Sequence, residues 1–132
     1  MRIYIDMDGV IANFQKAADE GGWKHRPDLH VDYRNLEVID GAIKSLAKLN
    51  ADHEIFIAST PPWTRPEVWG HKREWLEEHF PYLKRRLILT HRKDLLIGDI
   101  LIDDSNIEVS QISKVIGSGL IKTGVIETGT HV

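Results

Sequence analysis

Four aspartates stand in two close pairs, and each pair ends an apolar run. In "YIDMDGV" Asp6 and Asp8 follow Tyr4 and Ile5, and in "ILIDD" Asp103 and Asp104 follow Ile100 to Ile102. One such pair alone reads as ordinary turn aspartates. Two pairs, each placed directly after a strand-like run, read as a site. Carboxylates gathered in one crevice repel, and a hard divalent cation offsets that repulsion; all-oxygen ligands with retained water suit Mg²⁺. A calcium loop of the EF-hand kind fits poorly, because Val10 stands where a third ligand would be.

Two further features fit an anion. Ser59 and Thr60 follow the run "EIFIA" and offer hydroxyls and N–H groups, although simple strand-end capping explains them equally well. Lys72 sits in the helix-like stretch after them, and a phosphate beside carboxylates needs such a cation. Its neighbours His71 and Arg73 compete for the inward position, and spacing does not choose among the three. Together these groups suit phosphoryl transfer. One carboxylate of the first pair attacks phosphorus, and the other, two residues on, protonates the leaving oxygen and then activates water. Asp6 and Asp8 have the spacing for that division.

The elements that must position these groups alternate. Residues 2–5, 54–58, 86–89 and 100–102 read as strands, with a fifth at Val115 and Ile116. Residues 10–18 read as a helix. Asp40 is placed to cap a second helix running to about Asn50, with Ile43, Leu46, Ala47 and Leu49 inward. A third helix starts at Pro66 and runs to about His79, and a short one covers 106–112. This order implies an α/β fold: an open, mostly parallel sheet of about five strands with helices on both faces, and ligands beyond the carboxyl ends of the strands. Residues 19–40 are broken by Gly21, Gly22 and Pro27 and read as an excursion from the core. The stretch 117–132 has no clear period, and its "GSGLIKTG" fails as a phosphate loop, since Lys122 takes the third glycine position.

The chain has 132 residues, enough for one domain. Its net charge of -3 argues against non-specific nucleic-acid binding. No apolar run is long enough to cross a membrane. No signal peptide precedes the first strand, so a cytoplasmic setting is expected, that of a host cell if the gene is viral. The absence of cysteine excludes disulfides, thiolate metal sites and a cysteine nucleophile.

"DMDGV", "FIAST", "HKREWLEEHF" and "LIDD", in that order, resemble the four motifs of the haloacid dehalogenase superfamily of aspartate-nucleophile phosphatases. The first motif is most similar to that of the 5′(3′)-deoxyribonucleotidases, and "THRKDLLIGDILIDD" is similar to the same family's approach to its last motif. The similarity covers about residues 3–106. It implies a Rossmann-like fold over 1–132, with 19–40 as a minimal cap. It also implies Asp6 as nucleophile, and Asp8 as general acid/base that lends its carbonyl to Mg²⁺. Ser59 and Lys72 would bind phosphate with help from Thr60, and Asp103 and Asp104 would complete the metal site. Phe14 matches the aromatic that ends the first motif and borders the family's nucleoside pocket; core packing is its other reading. Trp23 and Trp63 are candidates for stacking on a base, whereas Tyr33 reads as ordinary packing. Asn13 stands where the family has aspartate, and Ser105 where it commonly has arginine. The expected activity is Mg²⁺-dependent hydrolysis of deoxyribonucleoside monophosphates, the alternatives being another small phosphate ester or a polynucleotide 3′-phosphate end. A response-regulator-like switch fits less well, because a base two residues from the nucleophile hastens loss of an aspartyl-phosphate. A second copy of the chain, in a homodimer, is a further expected partner.

Overall fold

The computed structural model describes residues 1–103 and the backbone of Val125–Ile126. Three apolar runs form its centre: β1 (Arg2–Ile5), β2 (Glu54–Ser59) and β4 (Ile100–Ile102), joined by β3 (Leu87–Leu89) and β5 (Val125–Ile126). The sheet order is β3-β2-β1-β4-β5, and among the described strands β5 alone runs antiparallel. Parallel strands covered by other elements need continuous apolar sequence, and β1 meets this with Ile3, Tyr4 and Ile5 all buried. In register, Ile5 lies beside Ile57 on one side and Ile102 on the other. Residues 6, 59 and 103 therefore leave the sheet at one edge, which is the convergence the acid pairs implied.

The described helices are α1 (Phe14–Gly21), α2 (Ala42–Asp52) and α3 (Glu67–His79). All three contribute to one large core cluster with Ile3, Ile5, Ile55 and Ile57. The opposite face carries a smaller cluster of Tyr4, Ala58 and Leu101. The expected helix at 106–112, the fifth strand at Val115 and Ile116, and the loop 117–124 lie outside the described residues.

Three expectations are corrected. The first helix begins at Phe14, not Val10. Residues 7–12 form a tight loop in which the Met7 carbonyl accepts the N–H groups of Val10, Ile11 and Ala12, while Gly9 at φ 82° donates to Ala12. A side chain at that left-handed position would be strained. Val10, Ile11 and Ala12 are buried here as a plug, and Ile11 accepts from Ile39. The second correction concerns α2, which buries Ala42, Leu46 and Leu49, whereas Ile43 is 50% exposed and Ala47 lies outside as well. Its N-cap is Gly41 at φ 82°, with no side-chain cap from Asp40. Thirdly, residues 19–40 are not peripheral to the core. Val31, Tyr33 and Leu36 belong to the main cluster, and the Trp75 indole of α3 donates to the Leu36 carbonyl at 2.7 Å. The segment holds two short 3-10 turns, Pro27–Leu29 and Tyr33–Asn35; Tyr33 opens the second, Val31 lies between them and Leu36 follows.

Asn13 acquires a role here. Its side-chain oxygen accepts from the Lys16 N–H at 3.1 Å and caps α1. Aspartate caps equally well, so the family's residue and this one are interchangeable for folding. Asn13→Ala should lower unfolding free energy by about 1 kcal/mol and Asn13→Asp by only a few tenths. Urea denaturation of the two variants checks this.

Candidate active site

Asp6 leaves the end of β1 with its N–H bonded to the Ile102 carbonyl at 2.9 Å, so β1 and β4 set its direction together. Its Oδ1 accepts from the Met7 N–H at 2.8 Å and lies 3.1 Å from Lys93 Nζ. Burial pushes the Asp6 carboxyl up to about 6; the Lys93 charge pulls it down and the nearby Asp8 pushes it up. Folded Asp6 therefore holds its proton more tightly than unfolded Asp6. The resulting stability is fully present below about pH 4 and is lost as pH rises through about 6. At roughly 1.4 kcal/mol per unit, this amounts to about 3 kcal/mol. In metal-free buffer the wild-type melting temperature should fall over that range relative to Asp6→Asn. Parallel melting curves against pH measure it.

Asp8 turns the other way, towards α3. Its Oδ2 accepts from Lys72 Nζ at 2.7 Å, and the same ammonium donates to Ser59 Oγ at 2.8 Å. Lys72 is 1% exposed and stands 4.8 Å above the Tyr33 ring. That answers which of His71, Lys72 and Arg73 faces inward, since α3 buries Val68, Lys72, Trp75 and Leu76 as one stripe. A buried ammonium is tolerated only with partners, and here a carboxylate, a hydroxyl and an aromatic face supply them. Burial also raises the Tyr33 phenol pKa, so it stays neutral in this company. Tyr33 is thus a core residue beneath the lysine.

Lys93 escaped the reading of residue spacing. It lies in the 3-10 turn Lys93–Leu95 after β3, a strand two places from β1, and no periodicity marks it. Thr60 sits close by, but its hydroxyl donates to the Thr90 carbonyl at 2.8 Å. Any part it plays on an anion would fall to its backbone N–H. Phe14 opens α1 half-buried and packs 5.7 Å from the Tyr33 ring, beside the lysine. Trp23 stacks on His30 and borders a 330 Å³ cleft with Asn13, Glu20 and Asp32, which is not lined by Asp6, Asp8, Ser59 or Lys72. Trp63 is 78% exposed on the loop after β2.

The donor set fits a hard cation. Asp8 Oδ1 is buried with no hydrogen-bond partner among the described residues, and Asp6, Asp8 and Asp103 leave adjoining strand ends. Asp104 lies outside the described residues, and among those described no three acidic or histidine side chains cluster as a closed metal cage. Mg²⁺ does not need one, because it commonly takes one or two carboxylates and keeps several waters.

Two comparisons bear on this arrangement. Residues 22–121 match the family described as 5′ nucleotidase, deoxy (Pyrimidine), cytosolic type C protein. The chain belongs to that family. Among its relatives is a protein of Vibrio phage KVP40, assigned by name to the 5′(3′)-deoxyribonucleotidases. It is 35% identical over 107 residues, which cover 73% of this chain and 61% of the relative. The human cytosolic-type 5′(3′)-deoxyribonucleotidase is 28% identical over 137 residues, covering 76% of this chain and 68% of the relative. The Bacillus subtilis 5′(3′)-deoxyribonucleotidase is 32% identical over 75 residues, or 54% of this chain and 43% of the relative. The chain thus spans about 61% of the length of its phage relative. Its α/β Rossmann-like sheet is of the haloacid dehalogenase type, a class of phosphatases that generally depend on metal. Among the described residues, no helix is long and apolar enough to cross a membrane.

Proposed function

We propose that this chain is a Mg²⁺-dependent phosphomonoesterase that hydrolyses deoxyribonucleoside monophosphates through an aspartyl-phosphate. One observation carries the reading: two carboxylates two residues apart, each bonded to a lysine from a different element, at 3.1 and 2.7 Å. A structural ion pair needs one lysine. Two lysines, one from α3 and one from the turn after β3, each paired with one of two neighbouring carboxylates, suit a phosphate dianion.

The roles follow from the contacts. Asp6 Oδ1 is held by Met7 and Lys93, which leaves Oδ2 to attack phosphorus. Asp8, ionised beside Lys72 in the free chain, takes a proton from the incoming phosphate monoester; as the bond to Asp6 forms, the ester P–O bond breaks and Asp8 gives that proton to the leaving oxygen. Asp8 then takes a proton from water, the water oxygen attacks phosphorus, and the bond to Asp6 breaks. Phosphate leaves with the proton that Asp8 took from water, and both carboxylates return to their ionised starting states. Ser59 and Lys93 contact the phosphoryl oxygens, while Lys72 holds Asp8 and Ser59 in register. Asp6, the Asp8 carbonyl and Asp103 or Asp104 would hold Mg²⁺, which would supply charge neutralisation for the dianion. Residues 19–40 act as a minimal cap over this edge. The human relative's name supports a cytoplasmic setting, and a homodimer is the assembly we put forward.

A panel of deoxyribo- and ribonucleoside monophosphates and 3′-phosphorylated oligonucleotides tests the reading. We expect turnover of the deoxyribonucleoside monophosphates, lost with EDTA and restored by Mg²⁺. No turnover of any monophosphate with Mg²⁺ present would contradict it.

A further inference from the structure

The loop after β2 holds a group that the phosphate chemistry does not use. Trp63 is the most exposed of the large apolar side chains among the described residues. It is nevertheless held in place. Its ring stands 5.5 Å from His91, edge to face, and His91 lies 5.5 Å from Trp69 on its other contact. Pro61 and Pro62 stiffen the approach to Trp63, with Pro61 buried.

The segment that carries His91 is tied to the phosphate seat. Thr60 donates to the Thr90 carbonyl, the Thr90 N–H donates to the Ser59 carbonyl at 3.0 Å, and Lys93, two residues past His91, reaches Asp6. On the far side of the loop, Arg65 donates to the Asp28 and Val31 carbonyls at 3.2 and 2.8 Å. Arg65 also shares the Tyr33 ring with Lys72. Trp63 is therefore bracketed by Ser59 and Arg65. Four residues from Ser59, it lies at most about 14 Å away along the chain, within the span of one nucleotide. Trp23 has no such link, since its ring partner is His30.

We propose that Trp63, positioned by His91 and Trp69, is the platform on which the substrate's nucleobase stacks. This rests on the nucleotidase reading and adds where the base is recognised. An aromatic face accepts any base, so it would separate nucleotides from baseless esters more than one base from another. A tryptophan already fixed by its loop loses little freedom when a base settles on it.

The test compares thymidine 5′-monophosphate with 2-deoxyribose 5-phosphate in the full chain with Mg²⁺. Its readout is the ratio of the two KM values. Trp63→Ala should reduce the preference for the nucleotide about ten-fold. Trp63→Phe should keep most of it, and His91→Ala should fall between, acting on KM rather than kcat. A ratio unchanged in Trp63→Ala overturns the proposal. If the wild type hydrolyses neither ester, the nucleotidase reading fails by itself, and binding then decides the platform. Nucleotide-dependent quenching of tryptophan fluorescence, lost in Trp63→Ala, supports it, and equal quenching in both proteins overturns it.

Discussion

Asp6→Asn should lower turnover of a deoxyribonucleoside monophosphate by about four orders of magnitude or more, with the fold intact. An amide oxygen is a poor nucleophile, so bond formation to phosphorus is lost rather than slowed by misplacement. The fold should survive because the Met7 N–H can still bond to the amide oxygen and the Ile102 contact is made by the Asp6 backbone. The variant should even be more stable in metal-free buffer at neutral pH, since ionised Asp6 is disfavoured by burial. Loss of activity together with a raised melting temperature separates a catalytic role from a structural one. An inactive variant that melts lower would mean that Asp6 serves the fold.

Lys72→Met should affect both properties. The lysine is enclosed, and its removal leaves the Asp8 carboxylate and the Ser59 hydroxyl without the donor they share. Breaking a buried pair in this way costs about 3–5 kcal/mol. Asp8 keeps 24% exposure, so water softens the loss and about 3 kcal/mol is expected. That corresponds to roughly 10 °C in melting temperature for a chain of this size. Activity should fall as well, because Asp8 no longer has a fixed direction. The double variant Lys72→Met with Asp8→Asn tests the cause. It should regain much of the stability, since no unpaired charge remains, and none of the activity. Thermal melts and initial rates on the three proteins measure both.

These expectations draw unevenly on the sequence. The acid pairs were legible because each follows a short apolar run, and parallel strands must end at a common edge. Asp6 and Asp103 accordingly leave adjoining strands. Lys72 was legible as a lysine of the third helix but not as its inward one, although it falls four residues after Val68 and three before Trp75 on the buried stripe. Lys93 carried no periodic signal, because its approach to Asp6 depends on a turn after an edge strand crossing two strand positions. The burial of part of the segment 19–40 was not legible for a related reason. Its buried residues, Val31, Tyr33 and Leu36, sit among glycine, proline and histidine at irregular spacing, and contacts from α3 rather than local pattern hold them inside. The run Val10 to Ala12 misled in the opposite sense, since consecutive apolar residues fill a loop plug as readily as a helix face.

The central claim is that Asp6 carries the phosphoryl group and Asp8 releases it. The most direct measurement is rapid quenching of turnover with labelled substrate, followed by mapping of the phosphorylated peptide. The label should appear on Asp6 in the wild type, persist longer in Asp8→Asn, and be absent from Asp6→Asn. Steady turnover with no labelled Asp6 at any quench time, or with label on another residue, would contradict it.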